Sequence, residues 1–300
     1  MTSPRTGRDT TPLVCHAPVN LTVDHLAAPT GVAVPRPVLA WRVPGPAPAR
    51  AYEIEVRRLD PATGAPADPV WATGRVEVVS PPMSPWVAYS GDPLASDADY
   101  SWRVRVWTAG AAPSAWADSA FSTSLLHPDS DVVAPWVEPA QTPVEPEPPI
   151  DFAAVFSKDG AARAWEPAGR RLHPVKLVRQ DLDLGHADRE AGPGASPASS
   201  ASAAPITRAR LYVSAQGVID VFIDGVPVGD TVLAPGWTSY HAYTEFEVHD
   251  VTRLLAGPGG PAGASETRHT LGLRLADGWF AGRIGALGES AQYGRVLRAW

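Results

Sequence analysis

The chain has 300 residues and 31.7 kDa, length for about two domains, and its 44% hydrophobic and 19% charged residues mark it as globular rather than disordered or fibrous. The formal charge is −7 at pH 7, and the basic residues form no stripe that could neutralise phosphates, so nucleic acid is not an expected partner. No stretch reaches the roughly 18 apolar residues of a spanning helix and the first residues lack a signal-peptide core, so no membrane partner is expected and the expected location is the cytoplasm.

Glycine (26) and proline (33) interrupt almost every helical window, while Val, Trp, Tyr, Phe and Thr alternate with polar residues. The chain therefore reads as mostly β with many turns. Residues 1–19 are expected to be a disordered tail, and the single cysteine in it, Cys15, can form no internal disulfide. Strands are expected at Val38–Val43, at Ala51–Arg58 with Tyr52, Ile54 and Val56 on one face, within Val70–Val79, and at Trp86–Tyr89 after the Ser80–Pro82 break. The strongest strand runs from Tyr100 to Trp107, with Tyr100, Trp102, Val104 and Val106 on one face. After a turn at Gly110 a last strand lies near Trp116–Ser122. About seven short strands in roughly 100 residues, an early Trp41 and a late Tyr100 placed for a tyrosine corner are the pattern of a fibronectin III or immunoglobulin-like sandwich.

Residues 128–151 are rich in Pro and Glu and predict an extended linker between this domain, 20–127, and a second one at 152–300. Within the second domain, residues 186–205 hold no large apolar side chain and predict a flexible insertion. Strands follow at Arg208–Ser214 and Val218–Ile223. Asp224-Gly225 then signals a hairpin into Val226–Val228. Further strands are expected at Thr244–Val248 and Thr270–Leu275, with a brief helical turn begun by Asp250, and a final strand starts in Arg295–Trp300.

Signals of chemistry are sparse. No G-x-S-x-G is present, the eight histidines form no metal-ligand spacing, and the glycine-rich stretch from Gly257 lacks a Walker lysine. None of the 32 acidic residues is marked by spacing as half of a glycosidase pair. The eleven tryptophans suit stacking on sugar rings, although sandwich packing is the plainer role for most of them. Asp224, Asp230 and Asp277 are turn or cap residues first, and calcium or sugar-hydroxyl ligands second.

Several strings resemble the bacterial α-L-rhamnosidases of glycoside hydrolase family 78. In the first half these are Pro35–Trp41 (PRPVLAW), Ala72–Val76 (ATGRV) and Tyr100–Leu126. In the second half they are Ala134–Pro139 (APWVEP), Arg208–Tyr240 with its long VGD-x-VLAPGWT-x-Y string, and Leu275–Gly285 (LADGWFAGRIG). This chain has Asp224-Gly225 where the family usually has Asn-Gly, and LVRQDLDL from Leu177 where it usually has a Phe-Arg strand.

The resemblance implies an all-β fold of two β-sandwich domains, fibronectin III or immunoglobulin-like and then jelly-roll-like, the second truncated at its C-terminus with an open sheet edge. It implies the non-catalytic front of an inverting hydrolase of terminal α-L-rhamnose, whose (α/α)6 catalytic barrel, the partner in cis, is expected to be missing. It also implies partners among rhamnose-containing glycosides or polysaccharides, and sugar- or calcium-binding candidates at Asp224, Asp230, Trp237, Tyr240, Asp277 and Trp279. A stand-alone carbohydrate-binding module and an immunoglobulin-like interaction protein are the alternatives.

Overall fold

A computed structural model of the chain describes residues 15–45, 47–78, 86–108, 112–142, 173–184, 206–256, 268–284 and 293–300. The turns expected at Ser80–Pro82 and Gly110, the 186–205 insertion and the loop from Gly257 lie outside these residues, as does the linker beyond residue 142. The chain divides into two compact units, Met1–Val132 and Val133–Trp300.

The first unit contains β1 (Val19–Val23), β2 (Val38–Arg42), β3 (Ala49–Leu59), β4 (Pro66–Ala72), β5 (Val76–Glu77), β6 (Trp86–Ala88), β7 (Asp99–Thr108) and β8 (Ala117–Ser122), then a short helix, α1 (Pro128–Asp131). One antiparallel sheet has the order β1, β2, β6. The other runs β4, β3, β7, β8, with β5 also on β3. This is the two-sheet sandwich expected of the pattern. Alternation in β7 is complete: Tyr100, Trp102, Val104 and Val106 are buried, and they meet Trp41, Leu39, Ile54 and Val56 in one core. Tyr100 makes the expected corner, its hydroxyl accepting the Ala95 N–H at 2.9 Å.

The strand expected within Val70–Val79 is two pieces, β4 and β5. Pro66 and Pro69 cannot donate ladder bonds and confine β4 to the sheet edge with register shifts against β3. At the break Thr73 accepts the Ile54 N–H through Oγ1 and donates its own N–H to the Ile54 carbonyl, both at 3.0 Å.

The second unit contains β9 (Lys176–Asp183), β10 (Arg210–Gln216), β11 (Val218–Ile223), β12 (Val226–Pro227), β13 (Phe246–Asp250), α2 (Thr252–Ala256), β14 (Arg268–Ala276), α3 (Gly278–Ala281) and β15 (Arg298–Ala299). Its sheets have the orders β13, β10, β15 and β12, β11, β14, β9, again all antiparallel. Val213, Ala215, Ile219, Val221, Leu275 and Leu297 fill its core. Gly217 alone carries the chain from β10 in one sheet to β11 in the other. Its φ is +143° and a Cβ there would lie 2.5 Å from the Ala276 carbonyl, so no other residue makes this crossing unstrained. Asp250 accepts the Thr252 N–H and starts α2, as its position predicted.

Residues 134–141, inside the stretch expected to be an extended linker, belong to this second unit. Val137 exchanges two backbone hydrogen bonds with Ala299, at 2.7 and 3.0 Å. The Gln141 amide brackets Leu297, donating to its carbonyl at 3.0 Å and accepting its N–H at 2.9 Å, while Trp300 Nε1 donates to the Ala134 carbonyl. The sheet edge expected to lie open at β15 is thus covered at these positions, since β15 has β10 on one side and this segment on the other. Among the described residues no helix is long and apolar enough to cross a membrane.

Candidate functional site

β11 and β14 pair along their whole overlap, from Ile223 opposite Leu271 to Val218 opposite Ala276, and so place the candidate residues at two ends of one sheet. The six-residue length of β11 separates those ends by about 20 Å.

At the first end Asp224 and Gly225 hold the hairpin with φ of +51° and +80°, the double left-handed geometry of a tight β-turn. The Asp224 carboxylate accepts from His269 Nδ1 at 2.6 Å and from the Thr270 N–H at 2.7 Å. The His269 bond first, then the Thr270 amide, hold its carboxyl below the usual aspartate range. Asp230 lies apart from it, exposed on the loop that follows β12.

At the opposite end β14 runs straight into α3. Asp277, at their junction, is buried, and its two oxygens take the His173 backbone N–H at 2.8 Å and ring Nδ1 at 2.7 Å. This carboxylate therefore straps the chain just before β9 to the end of β14. One residue into α3, Trp279 lies nearly parallel to Trp237, with planes 8° apart and ring centres 6.4 Å apart. Trp237 is 55% exposed and Trp279 half-buried, so the Trp237 indole presents a flat surface to solvent.

The loop carrying Trp237 is braced from within. Tyr240 donates to the Gly236 carbonyl at 2.9 Å, and Thr238 Oγ1 donates to the Tyr243 carbonyl at 2.9 Å. Tyr240 meets Phe280 and Tyr293 edge to face, and burial, with Tyr293 and Glu245 nearby, pushes its phenol upward. Tyr240 is thus a brace beneath the platform and not part of its exposed surface.

Of the six candidates, Trp237, Tyr240, Asp277 and Trp279 gather at one end, whereas Asp224 and Asp230 do not join them. His173, Phe280 and Tyr293 complete this end and carry no local sequence signal that would have selected them. Among the described residues no three of His, Cys, Asp or Glu come together as a metal-binding group.

Two family models match the chain. A Rha78A-like N-terminal immunoglobulin domain covers residues 18–127, and an alpha-L-rhamnosidase N-terminal domain covers residues 204–299. Curated relatives include an alpha-L-rhamnosidase of Formosa agariphila, 27% identical over 86% of this chain and 23% of its own length. Another, from Alteromonas sp., is 26% identical over 80% of this chain and 21% of its own length. The chain thus spans less than a quarter of either relative.

Among solved structures, the native α-L-rhamnosidase of Aspergillus terreus matches 94% of this chain and 26% of its own at TM-score 0.64 and 24% identity. The Streptomyces avermitilis α-L-rhamnosidase complexed with L-rhamnose matches 94% of this chain and 38% of its own at TM-score 0.65 and 19% identity. At these identities the structures speak for the fold.

Proposed function

Because the chain belongs to the α-L-rhamnosidase family, of which it carries the two N-terminal β-domains in order, we propose that these residues are the non-catalytic front of an enzyme that hydrolyses terminal α-L-rhamnose from glycosides. Catalysis in this reading falls to acid and base carboxylates on a separate (α/α)6 barrel, and the two sandwiches hold or extend its sugar-binding cleft. The observation that carries the proposal is the ordered match of both domains, over 18–127 and 204–299, in a chain spanning under a quarter of its relatives. The 300 residues alone should not release p-nitrophenol from p-nitrophenyl α-L-rhamnoside. Turnover by the purified chain would overturn the assignment.

The parallel Trp237 and Trp279 rings favour a second reading, in which this front portion itself binds a rhamnose-containing glycan. Indole faces stack on the C–H faces of pyranose rings, and Trp237 is exposed beside the parallel, half-buried Trp279 on a loop braced by the Tyr240–Gly236 bond. L-rhamnose titrated with and without calcium should give heat and a raised melting temperature, and Trp237→Ala should weaken binding about tenfold. Neither heat nor a shift in either condition removes this reading.

A further inference from the structure

One sheet of the second unit runs β12, β11, β14, β9, so β9 lies at its edge, and among the described residues no strand pairs with it on the far side. An edge strand presents backbone N–H and C=O groups to any chain that can align with them, and several edges of this protein are blunted against that. β12 is two residues long and ends in Pro227, β6 has three residues, and β4 carries Pro66 and Pro69 with register shifts. β9 has none of these devices. With eight residues it is the longest edge strand among those described, it holds no proline or glycine, and it pairs with β14 without a bulge from Lys176 opposite Leu275 to Asp183 opposite Arg268.

Its charges are the remaining guard, and they are arranged to admit one partner. Side chains alternate along β9: Val178 and Leu182 stand on the core side, half-buried opposite Leu273 and His269 of β14, while Leu177, Arg179, Asp181 and Asp183 face solvent. In an antiparallel pair directly opposite residues share a face, so a second β9 keeps core side with core side only where an even-numbered residue meets another even-numbered one. With the two-fold axis at Gln180, Arg179 lies opposite the partner's Asp181, Asp181 opposite the partner's Arg179, and Val178 opposite the partner's Leu182. Moving the axis one residue either way sets Arg179 against the partner's Arg179, or Asp181 against the partner's Asp181. The strand is therefore self-complementary in a single register. Arg179 and Asp181 already meet within the strand at 2.9 Å with side chains 71% and 73% exposed, so both groups stand at the surface where a partner reaches them.

We propose that two copies of this chain associate through β9, antiparallel about Gln180, and join their four-stranded sheets into one. The pairing depends on this strand alone and not on the catalytic or sugar-binding reading. Two eight-residue strands bury less than the roughly 1,200 Å² of a stable complex, so the dimer is weak and concentration-dependent. Sedimentation equilibrium of the 300-residue chain from roughly 5 to 500 µM should show monomer passing to dimer, with slower hydrogen exchange at the 177–183 amides as concentration rises. Arg179→Asp sets carboxylate against carboxylate across the axis and Asp181→Arg sets guanidinium against guanidinium, so each alone should weaken the dimer about tenfold. An equimolar mixture of the two variants should restore it, because every Asp then meets an Arg. Mixing repairs no folding defect, so the rescue separates pairing from stability. The double exchange of Arg179→Asp with Asp181→Arg keeps the pair within each strand and should associate like the parent chain. A chain that stays monomeric throughout, association that both single variants leave unchanged, or failure of both the mixture and the double exchange to associate overturns the proposal.

Discussion

Tyr100 and Asp224 are single residues that each fix a bend, Tyr100 through one side-chain bond and Asp224 through two. The Tyr100 ring is 2% exposed and its hydroxyl is the acceptor for the Ala95 N–H, so Tyr100→Phe leaves that half-buried amide without its acceptor. The expected loss is about 1 kcal/mol of first-unit stability, read in urea unfolding as a lower midpoint at constant slope. Asp224 works through charge. Its folded-state carboxyl titrates below the unfolded one, so the stability it adds is complete above the unfolded value, roughly pH 4, and is lost as pH falls through the folded value. Asp224→Asn should keep the turn, since Asn accepts left-handed backbone, and should flatten stability below about pH 4 relative to the parent chain. Denaturation midpoints at about pH 3 and pH 7 check this. The Asp-Gly turn is legible in sequence because its signal is confined to adjacent residues. The His269 partner lies 45 positions away and is not.

At the scale of elements, β7 and β15 mark the two extremes of local encoding. β7 alternates over its whole length, and the face it turns away from the core is itself ordered. Arg103 and Arg105 stack on Trp116, Arg105 and Arg75 on Trp107, and Glu53 and Glu55 pair with these strands' arginines. Burial alone would raise the Glu55 carboxyl, but hydrogen bonds from Arg57 and Arg103 outweigh it and hold the group low. Two of the tryptophans, Trp41 and Trp102, lie in the core, while Trp107 and Trp116 serve this outer face and Trp237 is exposed. β15, by contrast, is two residues long and exists as a strand because β10 and residues 137–141 flank it. Leu297 is fully buried, so Gln141→Ala strands both its N–H and its carbonyl. That variant should cost the second unit about 2 kcal/mol and speed hydrogen exchange at the Leu297 amide. Proline and glutamate content here predicts an extended linker. The pairing partner sits 156 residues downstream, beyond the reach of composition.

For the whole molecule, the ordered pair of sandwiches and the absence of turnover expected of the 300 residues belong to one argument. Glycoside hydrolysis needs two carboxylates converging across a bond, whereas the buried acid at the indole end, Asp277, is committed to His173. The amino-acid sequence by itself determined the β class, the sandwich pattern of the first half, the alternation of β3, β7 and β11, and the hairpin at Asp224-Gly225, because these follow from side-chain period and backbone preference among near neighbours. Only the tertiary structure decided that Trp237 and Trp279 lie parallel, that Tyr240 and Asp277 brace the segments beside them, and that Asp224 stands at the other end of the sheet. These outcomes rest on contacts between residues far apart in the chain, such as the 104 positions from His173 to Asp277, and a carboxylate's role is set by the neighbour that reaches it rather than by the residues beside it in sequence.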